Sequence, residues 1–164
     1  MKKKKKQNII ILVIAIAIIT GIVSYNYSAE QTKQKGFQFG NKLEQIQTDV
    51  KELQTLFYSK KTQLEEGGIT ERELFEHYEK HVIEFESIIS QYDTLEAPES
   101  FQSAVDLLKL SSQTQLDSDI QYIEWMKTGD ESFKIRSDSQ YQQALEYEMT
   151  GLVEYYSAKT GIQP

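Results

Sequence analysis

Ile9 to Tyr25 is a run of 17 residues without a charge, placed directly behind Lys2-Lys3-Lys4-Lys5-Lys6 and rich in isoleucine. As a helix it would extend about 25 Å at roughly 1.5 Å per residue, near the lower limit for crossing a bilayer. An acidic water-soluble domain has little use for such a run. The sequence therefore predicts two parts in different solvents: a transmembrane signal anchor over 9–25 and a polar body beyond it. A cleaved signal peptide would end in a small-x-small site. Ser24 is preceded two positions earlier by Ile22, and Ala29 by Tyr27, so neither offers one, and a retained anchor is favoured. A prepilin would carry Gly where Asn8 stands.

Orientation follows from the lysines, because clusters of positive charge stay on the cytoplasmic side. Residues 1–8 are then a short basic cytoplasmic tail, 26–36 a juxtamembrane linker, and 37–164 an extracytoplasmic domain held at the cell membrane by a single span. Tyr25 and Tyr27 fall where an interfacial aromatic belt would sit. Removing Lys2 to Lys6 leaves 13 Lys+Arg against 25 Asp+Glu, a net charge of −12. Such a body repels nucleic acid, whose recognition needs a basic footprint. With no Cys, disulfides, thiolate metal sites, cysteine nucleophiles and a lipid-modified cysteine are all excluded.

The periodicity from Phe37 onward is helical. Phe39, Leu43, Ile46, Val50, Leu53, Phe57 and Leu64 form one heptad-like stripe, ending at Gly67-Gly68. Thr70-Glu71-Arg72-Glu73 reads as a capping box, with Ile69 and Leu74 as its hydrophobic staple. Leu74, Tyr78, Val82, Phe85, Ile89 and Tyr92 mark a second helix. After Pro98 come Phe101, Val105, Leu108, Ser112, Leu116, Ile120 and Ile123. Gly129 and Asp130 supply a left-handed stop and a fresh cap. In the last helix Tyr141, Leu145, Met149, Leu152 and Tyr156 are expected to face the core. Helices over about 37–66, 70–92, 98–128 and 130–158 joined by short loops predict an all-α fold, an antiparallel up-down-up-down four-helix bundle. The first two resemble a coiled-coil hairpin, which leaves room for a homo-oligomer sharing its core.

Two constellations have chemical content. His77 and His81 are i, i+4, with Glu73 one turn before and Glu84 three residues after, so one helical face could hold a divalent metal such as zinc. The alternative is that both histidines lie on a solvated face. The HExxH order is absent, since Tyr78 follows His77. The second constellation is Asp119 with Arg136 and Asp138 across the last hairpin, beside Tyr122, Trp125 and Tyr141. These could line a ligand or partner surface, or form a polar layer with an Arg136–Asp119 bridge that fixes register. Asp138 is expected to point partly inward. No nucleophile is paired with a base, so no enzyme is expected. The sequence thus predicts a non-enzymatic binding or scaffold module with an unidentified protein partner. A metal- or small-ligand-binding sensor or storage bundle, and a secreted enzyme released near Ala29, are the alternatives.

Overall fold

The computed structural model describes residues 36–160. Helix α1 occupies residues 36–65 and α2 Glu71–Tyr92; a 3-10 turn, Glu99–Phe101, leads into α3, Gln102–Thr128, and α4 is Glu131–Thr160. No strand occurs among the described residues. The chain from Phe39 onward gathers into one compact helical bundle. No helix among the described residues is long and apolar enough to cross a membrane, and the expected span at 9–25 lies outside them.

Local chemistry accounts for the helix ends. Gly67 takes φ 73°, the left-handed conformation that costs glycine nothing, and its N–H donates to the Leu64 carbonyl to close α1. At the start of α2 the Thr70 hydroxyl accepts from the Glu73 N–H while the Glu73 carboxylate accepts from the Thr70 N–H at 2.8 Å, a complete capping box. Gly129, at φ 71°, donates back to the Trp125 carbonyl and ends α3. Asp130 then accepts from the Ser132 N–H at 2.9 Å, satisfying one of the free donors at the head of α4.

Contacts between side chains give the helix directions. His81 meets Asp119 and Tyr92 meets Ser112, so α2 and α3 run antiparallel. Ser111 meets Ala144 and Ser118 meets Ser137, so α3 and α4 do too, with pairs summing to 255 standing level. Phe57 against His81, and Gln47 donating to Tyr92, set α1 antiparallel to α2. The α1 stripe is buried from Phe39 through Phe57. With Phe85, Tyr92, Val105, Leu108 and Leu116 it forms the larger apolar cluster. Phe57, Leu74, Tyr122 and Ile123 form a smaller one toward the other end.

Helix α4 overturns one expectation. Its inward face is Ser137, Ala144 and Gly151, spaced by sevens, and these meet an equally spaced row on α3, Ala104, Ser111 and Ser118. The Ser111 and Ser118 hydroxyls each donate across the interface at 2.8 Å to a backbone carbonyl, of Ala144 and Ser137. A Cβ added to Gly151 would stand 3.0 Å from Leu108 Cγ and 3.2 Å from Leu107 Cβ. Small side chains let the two backbones approach closely and still fill the space between them. Tyr141, Leu145, Met149 and Tyr156, expected in the core, consequently lie exposed, and Leu152 is half-buried.

Candidate functional site

A polar layer separates the two apolar clusters. His81 on α2 and Asp119 on α3, 4% and 2% exposed, meet through Nε2 and Oδ2 at 2.8 Å. Gln115, one turn before Asp119 on α3, donates to its Oδ1 at 3.3 Å and to the Tyr58 hydroxyl on α1 at 3.1 Å. The layer therefore ties α1, α2 and α3 together. Burial pushes the Asp119 carboxyl pKa up, opposed by the hydrogen bond and charge of His81 and by Lys61. Burial, reinforced by Asp119, likewise raises the Tyr58 hydroxyl pKa. Burial pushes the Lys61 pKa down, opposed by the charges of Asp119, Asp138 and Glu65; its Nζ lies 3.6 Å from the Tyr122 ring centroid.

The imidazole of His81 is clamped. Phe57 stacks on one face at 4.5 Å between centroids, and Phe85 meets it edge-on at 5.3 Å. With Nε2 on Asp119, Nδ1 is the one polar atom left over, and it has no hydrogen-bond partner among the described residues. His81 also lines a cavity of about 80 Å³ between α1 and α2, walled by Leu53, Leu56 and Phe57 and rimmed by Lys60, His77, Lys80 and Glu84. The lining combines an apolar wall with two amines, two imidazoles and one carboxylate, and has no hydroxyl or thiol.

The structure redistributes the expected metal ligands. Glu73 is engaged in the capping box, Glu84 is exposed, His77 is half-buried, and His81 turns into the core rather than toward solvent. Among the described residues no group of three or more His, Cys, Asp or Glu could hold a metal ion. His77, His81 and Glu84 do share the cavity, but in the company of two lysines.

The second constellation is also redrawn. Arg136 stands level with Asp119 in the α3–α4 register, yet it is exposed, 3.4 Å from the Ser132 hydroxyl and over the Phe133 ring. The expected Arg136–Asp119 bridge does not form. The helical rotation explains it: Ser137 and Ser118 take the interface, which turns Arg136 outward and Asp119 toward α2. Asp138 is exposed rather than partly inward. Trp125 donates from Nε1 to Glu131 at 3.2 Å under the Lys134 ammonium, and Tyr141 packs edge-on against Tyr58 at 5.8 Å. Asp119 thus belongs to a buried layer, while Trp125, Arg136, Asp138 and Tyr141 lie at or near the surface.

That surface includes Leu145, Met149 and Tyr156, which were expected in the core, together with Val153. Leu145, Met149, Val153 and Tyr156 recur at spacings of four, four and three, and are 39%, 69%, 57% and 58% exposed. With Tyr141 they make a continuous apolar stripe along the outer side of α4. Between Asp138 and Tyr156 the helix carries Asp138, Glu146, Glu148 and Glu154 and no Lys or Arg. An apolar stripe with acidic flanks is complementary to an amphipathic helix with basic flanks. The chain matches no known family model, no curated protein and no solved structure.

Proposed function

We propose that the chain is a membrane-tethered, extracytoplasmic, non-enzymatic binding module whose docking surface is the outer face of α4. Its partner is a protein segment that presents an apolar helical face bordered by Lys and Arg. The supporting observation is the exposed stripe of Leu145, Met149, Val153 and Tyr156 within an acidic stretch of α4. An unpartnered apolar face of this length on a charged, acidic body is the kind of patch that marks an interaction site. Its acidic flanks oppose both an anionic lipid surface and a second copy of the same face.

The tether supplies the mechanism. The charge-free run after Lys2–Lys6 supports a single span with an up-down-up-down bundle on the outer side. Confinement to the layer next to the bilayer raises the effective concentration of the bundle toward a partner in the same layer, so a modest contact surface suffices.

The experiment places a photo-reactive residue at Val153 in the full-length protein in intact membranes, and in parallel titrates the detergent-solubilised chain with a synthetic basic amphipathic helix. Cross-linking to a basic helical segment, with peptide affinity reduced about tenfold or more in Met149→Asp, is the expected result. Equal binding of basic-flanked and acidic-flanked peptides, or cross-links only between copies of this chain, would overturn the docking assignment. Release of the chain from membranes by alkaline carbonate, or a mature N-terminus beyond Tyr25, would overturn the tether.

A further inference from the structure

We propose that the cavity between α1 and α2 is a binding site for a small oxyanion, a carboxylate or phosphate group, with His81 Nδ1 as its inner donor and Lys60, His77 and Lys80 at its rim. This site is independent of the α4 surface. Three observations converge on it. The cavity is about 80 Å³, room for a group of a few heavy atoms, and its inner walls are the side chains of Leu53, Leu56 and Phe57. His81 is 4% exposed, with Nδ1 unpartnered among the described residues, and a buried polar nitrogen without a partner is costly. Phe57 stacks on one face of the ring and Phe85 packs at 64° to it, which fixes the imidazole plane in which a hydrogen bond at Nδ1 must lie.

The charge of the lining selects the ligand. On a body of net −12 this cavity gathers Lys60, Lys80, His77 and His81 around a single acid, the exposed Glu84. Two ammonium groups disfavour a cation and favour an anion. Asp119 completes the logic from α3. With Asp119 held at Nε2, Nδ1 is the ring nitrogen left for a ligand, and an oxyanion bound there would accept its N–H in a charge-assisted hydrogen bond. The ring would then lie between Asp119, built into the core, and the bound group.

The test follows the imidazole resonances of the full-length chain in detergent micelles near pH 6, where an ordinary histidine is largely protonated. With only His77 and His81 present, His77→Gln completes the assignment. Inorganic phosphate and acetate are titrated separately, against sodium chloride at matched ionic strength and against zinc chloride. The expected outcome is a saturable shift of the His81 ring with phosphate or acetate, whichever is tighter naming the preferred group. In the Lys60→Met, Lys80→Met double variant the affinity should fall about tenfold with the unfolding curve unchanged. No saturable shift with either anion, the same affinity in the lysine variant, a shift reproduced by chloride, or a response to zinc alone would each overturn the proposal.

Discussion

The most consequential residues are His81 and Asp119, because a buried ion-forming pair is safe only while both members are present. Asp119→Ala leaves the His81 Nε2 group unpaired between Phe57 and Phe85 and should cost about 3–5 kcal/mol. Replacing both, as His81→Phe with Asp119→Leu, should recover most of that loss, since an apolar pair of similar volume needs no desolvation. Urea unfolding of the two variants and the parent checks this. A single Asp119→Ala within about 1 kcal/mol of the parent would mean the pair is not isolated from water. The pH dependence follows from the raised Asp119 pKa. The native state binds that proton more tightly than the unfolded chain, so the Asp119 contribution is greatest below the ordinary aspartate range, at about pH 3.9, and is lost as pH rises through the raised native value. Asp119→Asn should abolish this part of the stability profile. Both residues were candidates in the sequence, His81 beside His77 and Asp119 beside Arg136, but not as partners of each other. Asp119 is one of 25 acids, and His81 sits beside an apolar stripe with nothing to say that its partner lies 38 residues away.

At the scale of the element, the cap of α2 and the inner face of α4 make contrasting predictions. Thr70→Ala should cost about 1 kcal/mol, through loss of the hydroxyl that accepts from the Glu73 N–H. The Thr70 N–H and then its hydroxyl hold the Glu73 carboxyl below its usual range. Its contribution is therefore present above the ordinary glutamate pKa and lost as pH falls through the depressed native value, opposite in sign to Asp119. The Thr70→Ala variant should show a shallower loss of stability in acid, measurable by thermal melts across that range. On α4, Gly151→Val should destabilise by about 1–3 kcal/mol despite valine's better helix propensity, because its Cβ meets the buried Leu108 at 3.0 Å. A melting temperature at or above the parent's would show that α3 and α4 can separate freely. The cap was legible in the sequence because all its parts fall within four residues. The inner face of α4 was not, since a row of Ser, Ala and Gly carries no hydrophobic signal and is overshadowed by Leu145, Met149 and Tyr156 beside it.

For the molecule as a whole, α4 has an inner face that packs on α3 and an outer face that is the proposed docking surface. Leu145→Ser and Met149→Ser each remove an exposed side chain and should change unfolding free energy by less than about 0.5 kcal/mol, while weakening the basic helical peptide. A loss above about 2 kcal/mol in either would mean that the stripe packs inside the folded chain. The helical class, the breaks at Gly67 and Gly129, the cap at Thr70 and the buried stripe of α1 are legible in the chain alone, because each depends on backbone preferences and periodicity within one or two turns. So is the contrast between the charge-free run at 9–25 and the acidic remainder. Which face of α4 turns inward, and the pairing of Asp119 with His81 rather than Arg136, emerge from the packed helices. The physical reason is that close approach belongs to a pair of helices: Ser137, Ala144 and Gly151 make an interface only because Ala104, Ser111 and Ser118 stand opposite with the same spacing. That fit rotates α4, points Arg136 outward and leaves the larger apolar residues to solvent.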